Sequence, residues 1–387
     1  MNNVSNKLDR LPSNYTFGVE IEYTGGATFA QATYFINLLI SRGEIRPGWT
    51  VHYDSSVVDQ QGQGAEIVSP VLTDDEQTEK ELKIITNYIK STGGVMNEQT
   101  GGHVHYGTQC LGNNIEEIKQ FLKLYTIFEP LLYKLSTGDL DYVRPGCGHY
   151  AKPMQNKLFK VIDSKTDSLS SLFLQLATTV GANTTHYGEH RYYGLNFQRL
   201  FEALRQKPQN ITMESYLNEL LTKGIIKDKN GHIISPTIEM RFRNGSSDPD
   251  EIMRGIRMGG QLFVAAKRKN YKKDCINSLY RHAKKRIVYI FDRLVEGNSN
   301  SPLYSDCTDI YELLRKKFRL SDYGNGKITY DEFKAFMNIL YPNMKEKDIL
   351  KLAKVYLPKL KPTPYKLYQE QEYVNNNNMV RRLALAA

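Results

Sequence analysis

Three short segments carry residues whose types and spacing could do chemistry together. "YTFGVEIEY" (15–23) places Glu20 and Glu22 two apart. "GGHVHYG" (101–107) does the same with His103 and His105, and "TIEMRFRNG" (237–245) with Glu239, Arg241 and Arg243. Successive side chains of a strand point to opposite faces. Each polar set therefore shares one face of its strand, against Val19, Ile21 and Tyr23, Val104 and Tyr106, or Ile238, Met240 and Phe242. An antiparallel sheet with one solvated face accounts for polar residues on any single strand. Solvated faces draw on Lys, Thr, Ser and Gln, whereas these draw on Glu, His and Arg, which points to a site.

Glu20 and Glu22 would stand about 6.6 Å apart along a strand. On a concave face two such carboxylates repel each other and need a cation between them. An oxygen-rich set with few imidazoles suits Mg²⁺ or Mn²⁺ better than Zn²⁺. Glu66 in "GAEIVSP" and Asp54 in "VHYDSSV" offer further carboxylates. A guanidinium fork matches phosphate oxygens, so Arg241 and Arg243 could hold them. Carboxylates for metal beside arginines for phosphate suit the handling of a nucleoside triphosphate such as ATP. No G-x-x-x-x-G-K-[ST] loop occurs.

These residues need strands with helices behind them. Strands are expected at 15–23, 48–58, 64–72, around the histidines, at 190–197 and from 237. Helices are expected at 28–42, with Phe29, Ala32, Phe35, Ile36 and Leu39 at helical spacing, after a Thr73/Glu76 capping box, and at 114–135. Asp248 as N-cap with Pro249 at the first helical position starts another. The stretch 140–235 carries weaker patterns. Trp49 reads as a core or rim aromatic, and His149, His186 and Cys147 as ordinary loop residues.

The chain has 387 residues with 51 basic and 42 acidic side chains, a formal charge of +9. The excess sits late, in "KRKNYKKD" (267–274), "RHAKKR" (281–286) and "RKKFR" (315–319). Such runs form solvated helix faces or attract polyanions. No aromatic-interleaved motif accompanies them, which argues against nucleic acid. The four cysteines form no C-x-x-C pair, and the first residues have no apolar signal region. No apolar run approaches the roughly 18 residues of a membrane span. A cytoplasmic protein with no membrane partner is expected.

"SDYGNGKITYDEF" (321–333) reads as the second half of an EF-hand loop, with Ile328 and Glu332 in register but Ser321 and Tyr323 where calcium ligands belong. A degenerate helix–loop–helix used for packing or for holding a protein partner fits better than tight Ca²⁺ binding. The terminal "LALAA" reads either as a frayed tail or as a degradation signal.

Taken together, "FGVEIEY", "AEIVSP", "GGHVHYG", "YYGLNF" and "TIEMRFRNGSSDPDEI" resemble, in order and approximate spacing over residues 15–265, the amidoligases of the carboxylate–amine ligase group. That group includes glutamine synthetase and glutamate–cysteine ligase. The resemblance implies an α+β fold with a curved antiparallel sheet of glutamine synthetase type, backed by helices and cupping ATP and metal. It implies that ATP phosphorylates a carboxylate and that an amine, free or on a peptide or protein acceptor, displaces phosphate to leave an amide.

Residue by residue, it implies Glu20, Glu22, Glu66, His105 and Glu239 as metal ligands. Arg241 becomes the phosphate-binding arginine, His103 and His105 match the H-x-H strand, and one of them, taken as His105, lies near the second metal or the nucleotide phosphate. Asn196 and Arg191 match a segment that touches cofactor or substrate. "YDSSV" departs from the expected Asp-Gly-Ser turn, and Asp54 is kept as a catalytic candidate beside His103, Arg241 and Arg243. The domains expected are a flexible tail 1–14, a catalytic domain 15–296, an EF-hand-like helical domain 303–368 and a flexible tail 369–387. Two other readings stay open: a ligase fold without activity that binds a partner, and a metal-dependent phosphohydrolase using water as acceptor.

Overall fold

A computed structural model describes residues 8–136, 138–140, 143–144, 146–182, 192–268, 276–277, 279–281, 283–284 and 330–356. In chain order the strands and helices are β1 (Phe17–Thr28), α1 (Phe29–Ser41), β2 (Thr50–His52), β3 (Gln63–Val68), α2 (Glu76–Ser91), β4 (Gly102–Gly107) and α3 (Ile115–Leu135). There follow α4 (Cys147–Tyr150), α5 (Gln155–Asp163), α6 (Leu169–Val180), β5 (Leu195–Asn196), α7 (Gln198–Arg205), α8 (Met213–Lys223), β6 (Ile226–Lys227) and β7 (Ile233–Ile234). Then come β8 (Thr237–Met240), α9 (Pro249–Ala266), α10 (Tyr330–Leu340) and α11 (Glu346–Tyr356).

The architecture is mixed α/β. Six strands form one antiparallel sheet in the order β2-β3-β1-β4-β8-β5, and β6 and β7 make a separate ribbon. The long β1 lies inside the sheet, paired with β3 on one side and β4 on the other. The alternation read from sequence holds along the middle strands. Val19, Ile21, Tyr23, Ala65, Ile67, Val104, Tyr106, Ile238 and Met240 are all buried in the core.

Helix α9 covers part of this apolar face. Its Ile256 carbonyl accepts from the Tyr106 hydroxyl at 2.7 Å, and Phe263 packs against the Tyr106 ring. Close approach requires glycine at 259, because a Cβ there would collide with the Tyr106 hydroxyl. The start of α9 is as expected, with the Asp248 side chain accepting from Asp250 N and Pro249 in the first turn.

Several local expectations change. The N-cap of α2 is Asp75, which accepts from Thr78 N at 2.7 Å, while Thr73 donates to Asp75 at 2.6 Å in place of capping the helix itself. Trp49 is buried, with Nε1 on Glu81 Oε2 at 3.0 Å. The expected 48–58 strand shrinks to Thr50–His52, because residues beyond it turn through Asp54-centred bonds. Among the described residues between β4 and β5, α3 to α6 are helices, and the strand expected at 190–197 shortens to Leu195–Asn196.

Residues 8–11, expected in a loose tail, bury Leu8 and Leu11. The Leu11 amide donates to Asp74, which pairs with Arg257 of α9 through two hydrogen bonds of 2.7 and 2.9 Å. Helix α10 docks on the same core: Phe336 meets Phe128 of α3 edge-on at 4.9 Å, and Arg268 donates to the Ile339 and Leu340 carbonyls. Residues 321–329 of the EF-hand-like segment, the 296–302 linker and the terminal tail lie outside the described residues, while residues 330–333 of that segment begin α10. No helix among those described is long and apolar enough to cross a membrane.

Candidate active site

The register of the sheet places the polar side chains in a row. Glu22 of β1 is opposite Glu66 of β3, and Glu66 is opposite His52 of β2. Glu20 is opposite His103 of β4, His105 is opposite Glu239 of β8, and Glu239 is opposite Asn196 of β5. Because strand side chains alternate, this register turns all of them to the face away from the core.

Glu20 is the hub. His103 Nδ1 donates to its Oε2 at 2.8 Å, and His105 Nε2 to its Oε1 at 2.8 Å. Arg199 of α7 reaches Oε1 at 3.4 Å. The other nitrogen of His105 is fixed by the Thr237 hydroxyl at 3.0 Å. Glu239 Oε1 receives Arg241 at 2.6 Å and lies 3.5 Å from His103 Nδ1 and 3.7 Å from His105 Nε2. Its Oε2 accepts from Asn196 Nδ2 at 2.8 Å. Glu22 accepts from the Gly101 amide and lies 3.6 Å from His103.

Burial alone would push the Glu20 carboxyl up, but hydrogen bonds from His103 and His105 outweigh it and hold the group well below the usual range. Glu239 behaves alike: burial raises it, and Arg241 and then His105 bring it below its ordinary value. Glu66 goes the other way. Burial, reinforced by repulsion from Glu20 and Glu22, pushes it up to about 9. Crowded carboxylates of this kind relieve their repulsion by taking up a proton or a cation.

The donor chemistry fits a hard divalent cation. Glu20, His105 and Glu239 bring ligand atoms within 4.8 Å of one another, and so do Glu20, Glu66 and His103. The two sets share Glu20. Oxygen-dominated sets with one imidazole each suit Mg²⁺ or Mn²⁺.

Above the row lies a cleft of about 1020 Å³, whose walls include Glu20, Glu22, Glu66, His103 and Arg241. Asp54 lines it from the turn after β2, with Oδ1 accepting from Ser56 N at 2.8 Å. Asn196 is buried, and its contact with Glu239 makes it a positioning residue. Arg191 lies outside the described residues.

Arg243 is a correction. The regular strand ends at Met240, so the alternation does not carry past Arg241. Arg243 instead lies among the helices, its guanidinium over Gly255 of α9 and its Nη2 donating to the Glu251 carbonyl at 3.3 Å. It stands apart from the carboxylate row. Sequence reasoning missed Arg199 and Arg144, both of which line the cleft. Arg199 follows Asn196 by three residues, a spacing that carries a side chain from the end of β5 onto the first turn of α7. Arg144 comes from irregular chain and had no periodic signal.

The fold and the site together define a mixed α/β protein whose antiparallel sheet presents a buried carboxylate–imidazole–guanidinium centre to an open cleft. A family model described as "Putative amidoligase enzyme" matches residues 13–215, and the chain belongs to that family. The matched span carries Glu20, Glu22, Glu66, His103, His105 and Asn196, while Glu239 and Arg241 lie beyond its end. No curated protein matches the chain.

Proposed function

We propose that the chain is an ATP- and Mg²⁺-dependent amidoligase that joins a carboxylate to an amine, free or on a peptide or protein, through an acyl phosphate. The observation that carries this reading is the convergence of Glu20, Glu22, Glu66, His103, His105 and Glu239 from four strands of one sheet face, with Arg241 one residue past the end of β8. Family membership supports the ligase class. The antiparallel sheet with helices against its apolar face supports a glutamine synthetase-like cup.

Glu20, His105 and Glu239 would hold one cation, and Glu20, Glu66 and His103 a second. Such ions neutralise charge on phosphate oxygens during transfer. Arg241, 18% exposed, and Arg199, 57% exposed, border the carboxylates and can also meet phosphate oxygens. In the first step a carboxylate oxygen attacks the γ-phosphorus, the bond from that phosphorus to the β–γ bridging oxygen breaks, and ADP leaves. In the second the amine nitrogen attacks the acyl carbon, the carbon–oxygen bond to phosphate breaks, and inorganic phosphate leaves. The amine must lose a proton to attack, and a carboxylate of the cleft wall would take it. Acyl phosphates are prone to hydrolysis, so the depth of the row beneath the cleft serves to limit water.

The test is ADP release by purified protein with Mg²⁺, ATP and pooled amino acids or peptides, beside Glu22→Gln. Release that needs both amine and carboxylate, and that falls in the variant, supports the reading. Equal background from both proteins removes it, and ATP turnover without any amine replaces it with the phosphohydrolase reading.

A further inference from the structure

We propose that Arg144 binds the transferable γ-phosphoryl group of the nucleotide, an inference that rests on the ATP-dependent reading above. Arg144 is 3% exposed, yet it lines the cleft. Its Nη1 donates to the Gln99 carbonyl at 3.3 Å, and its buried Nε has no hydrogen-bond partner. Among the described residues no carboxylate comes within the 4.0 Å of an ion pair. The Cys147 thiol beside it is pushed up by burial, which keeps that neighbour neutral.

The other arginines near the row differ. Arg241 is paired with Glu239 and Arg199 with Glu20. A guanidinium taken out of water without a counter-anion is costly to the fold. An anion arriving in the cleft removes that cost, so this arginine gains most from a bound anion.

Gly101 is a second, independent observation. A Cβ built on it would fall 2.6 Å from His103 Nε2 and 2.7 Å from Arg144 Nη2. An imidazole and a guanidinium thus converge over a bare Cα, next to the amide that donates to Glu22. Glycine at 101 thus lets the two nitrogen groups close in where not even a methyl group would fit, and beside carboxylates suited to Mg²⁺ they offer paired donors to an oxyanion in the cleft that also touches the cations. The γ-phosphoryl group meets that description, since it alone of the nucleotide's phosphates must stand at the reacting centre. A guanidinium fork suits two of its oxygens.

The experiment is calorimetric titration with Mg–AMPPNP and, separately, Mg–ADP. The proteins are wild type, Arg144→Gln, Arg144→Lys and Gly101→Ala, each checked by thermal melting. Arg144→Gln should weaken the triphosphate analogue on the order of 30-fold or more and leave ADP within about twofold. Arg144→Lys, which keeps charge but loses the fork, should fall between, and Gly101→Ala should show the same selectivity. If Arg144→Gln does not fold, the other two variants decide. Parallel weakening of both nucleotides, or no weakening, overturns the assignment. A wild type that binds neither nucleotide would instead refute the ATP-dependent reading and take this inference with it.

Discussion

Asn196→Ala tests the centre without touching a candidate ligand. Three of the four contacts around Glu239 converge on Oε1, from Arg241 at 2.6 Å, His103 at 3.5 Å and His105 at 3.7 Å. Oε2 depends on Asn196 Nδ2 at 2.8 Å, in a pair that is buried throughout. A hydrogen bond to a charged, buried carboxylate contributes about 1.5–3 kcal/mol. Losing it lets the carboxylate rotate about its Oε1 contacts, and loss of such outer partners costs roughly 10–100-fold in metal affinity. The assay is Mn²⁺ binding by electron paramagnetic resonance, cross-checked by calorimetry. Asn196 Oδ1 also accepts from Gln198 N at 2.8 Å, at the start of α7, so the melting temperature must be followed as well. A variant that melts earlier but binds Mn²⁺ within about twofold of wild type refutes the reasoning. Asn196 would then be a helix-start residue and nothing more.

Other perturbations probe the frame. Asp74→Ala removes two hydrogen bonds of the buried Arg257, whose pairing with Glu79 stays, and the acceptor of the Leu11 amide. Breaking a buried pair costs about 3–5 kcal/mol, and urea unfolding should show a loss near the lower end because Glu79 remains. Phe336→Ala, at 0% exposure against Phe128, should cost about 3–5 kcal/mol; a loss below about 1 kcal/mol would mean that α10 does not dock as described.

Asp75 is held down at about 2, where burial is outweighed by hydrogen bonds from Thr73 and Thr78. A depressed folded-state value adds stability above the unfolded value near 4, and that stability is lost as pH falls from about 4 to about 2. The urea midpoints of wild type and Asp75→Asn should therefore converge across that window. Parallel curves would count against the cap.

The polar face was legible because β1, β4 and β8 alternate strictly, so two-residue spacing alone puts Glu20 with Glu22 and His103 with His105. Which strands are neighbours was not legible. Nothing in the residues 20–22, 103–105 and 237–241 states that β4 lies between β1 and β8, since pairing over such separations is decided by packing of the opposite face. Arg243 shows the limit of period-two reasoning: it assumed a strand three residues longer than the one that forms. The capping box at Thr73 was displaced by two residues because Asp75 is the better-placed acceptor, and Thr73 is used to orient it. Arg144 was invisible for a different reason. An isolated arginine in irregular chain has no pattern, and its importance arises only from what surrounds it in space. Helices α5–α8 were blurred by the same weakness of pattern, although their buried leucines are plain once the core is seen.

β8 lies between β4 and β5 in the sheet, yet among the described residues it is the last of the strands in sequence. A nascent chain leaving the ribosome can assemble β1, β3 and β4 early, but the row then ends in an open slot. Only when residues 237–241 emerge and slide into that slot do Glu239 and Arg241 arrive. An interrupted synthesis product would therefore carry the whole span matched by the family model, with Glu20, Glu66 and His103 present but Glu239 missing, so only one of the two candidate cation sets is complete before the late strand arrives.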